Sequence, residues 1–236
     1  MSGGKGRPPL IFIGVDACRK GWLGVLGLWE GKGFKQEEVI IASSIREFLA
    51  LDFKLLAIDI PIGIPEDYEP GGRLCDRWAR KLLGPRSRSV FSPPPRKVWQ
   101  AASYAQARAL LHGHLSLQSW NILPKIKEVD KVVSPLRQRR IRETHPELVF
   151  YHLAQGPLPS KHLPHGQRRR LDLLNQAGIF GSLLQNYASL PRGFKVDLLD
   201  AYAALLAAKR ISGKEASCIP PEPGLDPRGL RMEICF

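Results

Sequence analysis

Sulfur is scarce in this chain, with two methionines and four cysteines among 236 residues. Cys18, Cys75, Cys218 and Cys235 are widely spread and form no Cys-x-x-Cys pair. That spacing excludes a zinc knuckle and indicates no disulfide framework, so free thiols are expected. His112-x-His114 and His162-x-x-His165 have no cysteine or carboxylate near them at zinc spacing, and neither is read as a zinc site. No apolar run approaches the roughly 20 residues that span a bilayer, and the opening MSGGKGRPPL lacks the apolar stretch of a signal peptide. The chain therefore reads as soluble and cytoplasmic. Acidic residues are outnumbered, 22 against 35 Lys and Arg, giving a formal charge of +13. Such a surface attracts polyanions, nucleic acid first, although high pI alone can be a solubility trait. Base-specific readout has no support. No helix-turn-helix or zinc-finger spacing is present, and the aromatics are too scattered for a stacking platform.

What is present suffices for one large domain, 44% hydrophobic, read as a single unit over residues 1–236. After a basic leader, LIFIGVD (10–16) is an Ile- and Val-rich strand that stops at Asp16. GWLGVLGLW and KQEEVIIA follow as hairpin-connected strands around Gly31 and Gly33. Ser43 or Ser44 caps a short helix, SIREFLAL, before the strand Leu55–Ile60. A right-handed crossover through that helix makes the first and fourth strands parallel. Asp16 and Asp59 then sit at carboxyl ends that point the same way, where open α/β sheets form their crevices. Pro61 marks the exit, because proline cannot donate within a central strand.

Residues 63–135 read as a mainly helical insertion, with helices in GGRLCDRWARKLLG, VWQAASYAQARALLH and SWNILPKIKEVDKVV, Pro124 falling near a start or kink of the last. RIRETHPELVF supplies a strand near Ile141–His145; a Pro- and His-rich loop and a helix near Arg168–Gly178 follow. KVDLLDAYAALLAAKR (195–210) is a long helix whose small residues suit close packing on a sheet. Residues 212–236 form a Pro- and Gly-rich tail with a possible last strand at Leu230–Cys235.

Asp197 and Asp200 are three apart and share a face near the N-terminus of the long helix, where the macrodipole favours anions. Asp16, Asp59, Glu143 and this pair thus become candidates for one crevice. Packed carboxylates repel, so such a cluster implies a divalent cation, and hard oxygen ligands suit Mg2+ or Mn2+. Two ions about 4 Å apart would fit phosphodiester hydrolysis.

The β-β-β-α-β opening with acids on strands one and four, and an acid on a late helix, resembles the ribonuclease H-like superfamily. DLLDAYAAL is similar to the Asp-x-x-Asp-Ala pattern of RuvC-type Holliday junction resolvases. More closely, GVDACRKGW, IDIPIG, GGRLCDRWARKLLGPRSRSVF, ETHPELVF, DLLDA and GLRMEI resemble the family called domain of unknown function four-two-nine, described as predicted ribonuclease H-like nucleases. The resemblance implies a ribonuclease H-like mixed five-stranded sheet in β-β-β-α-β-α-β-α order with flanking helices. It implies Asp16, Asp59, Glu143 and Asp200 as catalytic metal ligands and Asp197 as a fifth acid, with two Mg2+ or Mn2+ ions. Many relatives have glycine after the first aspartate, where this chain has Ala17. Glu147, in the HPE triplet, is the rival to Glu143, and His145 is an auxiliary candidate for protonating a leaving group or binding an anion.

Arg73, Arg77, Arg80, Arg86 and Arg88 are candidates for holding a phosphate backbone, since guanidinium pairs bidentately with phosphate; a solvated basic helix face is the alternative. The expected activity is a metal-dependent nuclease acting on DNA or RNA. Two competing readings are a nucleic-acid-binding protein without turnover and an actin-like enzyme using ATP or phosphate. Against the latter, ACRKG after Asp16 lacks a glycine-rich phosphate cradle.

Overall fold

The computed structural model describes residues 10–31, 33–179 and 181–236; the basic leader lies outside them. Strands β1 (Leu10–Cys18), β2 (Gly21–Glu30) and β3 (Gly33–Ala42) form an antiparallel meander. Helix α1 (Ile45–Leu49) crosses over to β4 (Leu55–Ile58), which lies parallel to β1. Ser44 caps α1 in a capping box with Glu47, satisfying N–H groups that a short helix leaves unpaired. Helices α2 (Leu74–Leu83), α3 (Tyr104–Leu110) and α4 (Leu117–Asp130) follow, before β5 (Ile141–Glu143) joins parallel to β4. The mixed sheet has the order β3-β2-β1-β4-β5. Then come α5 (Pro146–Ala154), α6 (Pro164–Gln176), α7 (Leu183–Ser189) and α8 (Lys195–Ser212). Among the described residues no helix is long and apolar enough to cross a membrane.

The sheet separates two apolar layers. Ile13, Val15, Leu56 and Ile58 pack with Phe48 of α1 and with Ile126 and Val129 of α4. Phe12, Leu55 and Ala57 point the other way, into the layer filled by α8. Helix α8 buries Ala201, Ala203, Ala204, Ala207 and Ala208 completely. These small residues let it approach β1 until only glycine fits beneath it, for a Cβ on Gly14 would overlap Leu205 N and Ala201 O.

Several elements differ from the sequence reading. Strand β1 continues through Asp16 to Cys18 because β2 pairs with it along the whole length, Cys18 facing Gly21. Pro124 sits inside α4, where the missing N–H is tolerated by a helix whose apolar residues are anchored in the core. The segment after Glu143 is helix α5, with Pro146 in its first turn, where proline's fixed φ suits a helix start.

The C-terminal segment is tied into the body. Buried Asp226 accepts from Ile64 N (3.1 Å), Leu230 N (2.9 Å) and Arg96 Nη2 (2.9 Å), joining it to the stretch after β4. The expected last strand shrinks to β7 (Ile234–Cys235), paired with β6 (Cys218–Ile219). The expectation of free thiols fails for two cysteines: Cys218 and Cys235 are register partners and form a disulfide, while Cys18 and Cys75 are free. Pairing across the hairpin brings together residues that are 17 apart, which spacing alone does not show.

Candidate active site

Strand alternation and register bring the first two acids together. Phe12 and Gly14 face α8, so Asp16 does too. Val15 pairs with Ile58, which makes Asp16 and Asp59 the next step of the register, and Asp59 N donates to Val15 O at 3.0 Å. Leu55 and Ala57 point into the α8 layer, and Asp59 follows the same alternation just beyond the strand. Asp200 comes from α8, one residue before the Ala201 carbonyl that overlies Gly14. Asp197 is one turn earlier, in the first turn of the helix. Close packing of α8 on β1 is therefore what gathers acids from three separate segments.

Their electrostatics reflect the crowding. Burial, then Asp59 and Asp200, push the Asp16 carboxyl well above its ordinary range. Burial is also the main cause for Asp59, pushed up to about 6, with Asp200 adding to it and His145 opposing. Asp197 rises to about 6 through burial and the neighbouring Asp200. Asp16 Oδ1 accepts from Ala17 N at 2.7 Å, and Asp200 Oδ1 is buried with no hydrogen-bond partner.

A cation already stands among them. Lys161, from the loop between α5 and α6, donates from Nζ to Asp200 Oδ2 at 2.5 Å. Burial pulls its ammonium toward neutrality, but Asp200, Asp16 and Asp59 outweigh that and hold it charged. The sequence reading missed this residue, and a single lysine in PLPSKHLPHG carries no motif that could have found it. No three of the aspartates bring a carboxylate oxygen each within 4.8 Å of one another; among the described residues only Cys218, Glu233 and Cys235 make such a group. That trio is no cation site, since Arg142 reaches all three side chains and the cysteines are bonded.

Both glutamates are committed elsewhere. Glu143 pairs with Ile58 in the register and so starts on the face opposite Asp59. It lines a cavity of about 20 Å³ with Asp59 and His145, yet both of its oxygens are taken. Arg73 Nη2 donates to Oε1 at 2.6 Å, Arg73 Nη1 to Oε2 at 2.8 Å, and Ile62 N to Oε2 at 2.6 Å. Burial pushes the Glu143 carboxyl up to about 7, with Arg73 pulling against it. Glu147 is gripped by Arg170 Nη2 at 2.8 and 3.0 Å, and Arg86 lies 3.6 Å from it. Glu143, anticipated as a ligand, and Glu147, its rival, each face a buried arginine in this structure.

The arginine set divides in the same way. Arg73, among the anticipated phosphate contacts, is 1% exposed and turned inward to Asp76 and Glu143. Arg80 donates to the carbonyls of Gly71 and Val90, bracing the segments before and after α2. Arg77 turns to Gly72 O and Glu69. Arg86 is partly engaged by Glu147, while Arg88 is exposed and lines a cavity of about 420 Å³ with Phe91, Ser92 and His114. His145 is the N-cap residue of α5, donates from Nε2 to Ser89 O at 3.3 Å, and leaves a buried Nδ1 without a partner.

Fold and site together define an α/β protein with an aspartate cluster and a lysine at the carboxyl ends of two parallel strands. The chain matches, over residues 14–224, the family described as Protein of unknown function (DUF429), and it belongs to that family. No curated protein and no solved structure matches it significantly.

Proposed function

We propose that this protein is a ribonuclease H-like phosphodiesterase that requires Mg2+ or Mn2+ and acts on nucleic acid, DNA or RNA. The observation that carries the reading is Asp200 Oδ1, a buried carboxylate oxygen without a partner, on a residue crowded by buried Asp16 and half-buried Asp59. Burying such an acceptor unsatisfied is costly, and hard oxygen donors suit these cations. Asp16, Asp59 and Asp200 are the oxygen donors, with Asp197 at the rim. A bound divalent cation supplies Lewis-acid stabilisation of charge on the phosphoryl oxygens. His145, which lines the small cavity with Asp59 and has an unpartnered Nδ1, is assigned the proton for the leaving oxygen. Arg88 and the net charge of +13 favour a polyanionic substrate.

The test is cleavage of labelled single-stranded, duplex, hybrid and junction substrates by wild type and Asp59→Asn, with and without Mg2+ or Mn2+. Cation-dependent cutting by wild type, reduced at least 100-fold in Asp59→Asn, is expected. Cutting that survives Asp59→Asn, or no cutting of any substrate, counts against the proposal.

A further inference from the structure

We propose that Lys161 is a built-in cation that takes the place of one of two divalent ions, so that the site binds a single divalent ion beside the lysine ammonium. This rests on reading the aspartates as a cation site.

The loop that carries Lys161 is held far more firmly than a surface lysine requires. Arg170, 0% exposed, donates to Pro159 O at 2.9 Å and to Gly166 O at 3.0 Å while Glu147 neutralises it. Gln167 Nε2 donates to Lys161 O at 2.9 Å. Gly166 has no side chain, and a Cβ there would overlap Ser160 O, so α6 accepts the loop only because that residue is glycine. Anchors from α5 and α6 thus fix the residues around Lys161, and its side chain runs inward to Asp200. A buried Glu–Arg pair is a costly way to hold a loop unless the loop's position matters.

Oxygen availability agrees. Lys161 occupies Asp200 Oδ2 and leaves Oδ1; Ala17 N occupies Asp16 Oδ1. A two-ion centre needs carboxylates shared between ions about 4 Å apart. The Lys161 ammonium, bonded to Asp200 Oδ2, takes up a carboxylate oxygen that a second ion would have to share.

The experiment counts Mn2+ ions bound per chain, by calorimetry and electron paramagnetic resonance, in wild type, Lys161→Met and Lys161→Arg. Methionine keeps an unbranched stem without the charge, and arginine keeps the charge. One ion is expected in wild type and in Lys161→Arg, and two in Lys161→Met. Equal, non-zero counts in wild type and Lys161→Met overturn the inference but leave the cation site standing; zero in all three overturns both. Should Lys161→Met unfold without metal, it is refolded in Mn2+. Recovery of the melting transition with two ions supports the substitution of lysine for ion, and failure to recover overturns it.

Discussion

Asp59 and Glu143 stand at the ends of neighbouring parallel strands, yet they do opposite things. Asp59 crowds against other acids, whereas Glu143 satisfies Arg73. Their amide substitutions should therefore move stability in opposite directions. Without metal, Asp59→Asn relieves repulsion and is expected to raise the melting temperature, by roughly 1–3 kcal/mol of stability. Glu143→Gln strips charge from the partner of a buried arginine and is expected to cost about 3 kcal/mol, read by denaturant unfolding. The same carboxyls set a pH dependence. Asp59 and Asp197 titrate near 6 and Asp16 above its ordinary range when folded, against about 4 when unfolded. Between those values the folded state holds more protons, so their contribution favours folding at low pH and is lost as pH rises through about 6. The stability advantage of Asp59→Asn over metal-free wild type should then grow from pH 4.5 to 7, and millimolar Mg2+ should abolish it.

Among the elements, the contact of α8 with β1 matters most, because it places Asp200 near Asp16. Gly14→Ala forces a methyl into the helix backbone and is expected to cost about 3 kcal/mol or more and to weaken Mn2+ binding, both measurable on one sample. This contact was half legible in the sequence. The alternation of LIFIGVD and the small residues of AYAALLAA announce a strand and a close-packing helix, and Asp16, Asp59 and Asp200 follow from them. Register was not legible: nothing local says that Glu143 pairs with Ile58 and so begins on the other face. Nor was α5, since Pro146 reads equally well as the end of a strand or the start of a helix. Lys161 lies beyond any periodicity argument, because a loop residue reaches the site only through tertiary anchors.

At the scale of the molecule, the C-terminal segment closes the structure. Asp226 and the Cys218–Cys235 bond tie it down. Opening the disulfide, which spans 17 residues, should cost about 3 kcal/mol by the chain-entropy estimate, seen as a lower melting temperature in reducing buffer. Mn2+ affinity should be unchanged, because neither cysteine touches the aspartates. The charge of +13 is also a property of the whole, and nucleic-acid affinity should fall steeply between 50 and 200 mM salt.

The most direct measurement is the anomalous diffraction map of crystals grown with Mn2+. The account predicts a peak within ligand distance of Asp16, Asp59 and Asp200, with the Lys161 ammonium still beside Asp200. A map with no peak there, or with manganese bound only elsewhere on the molecule, would contradict it.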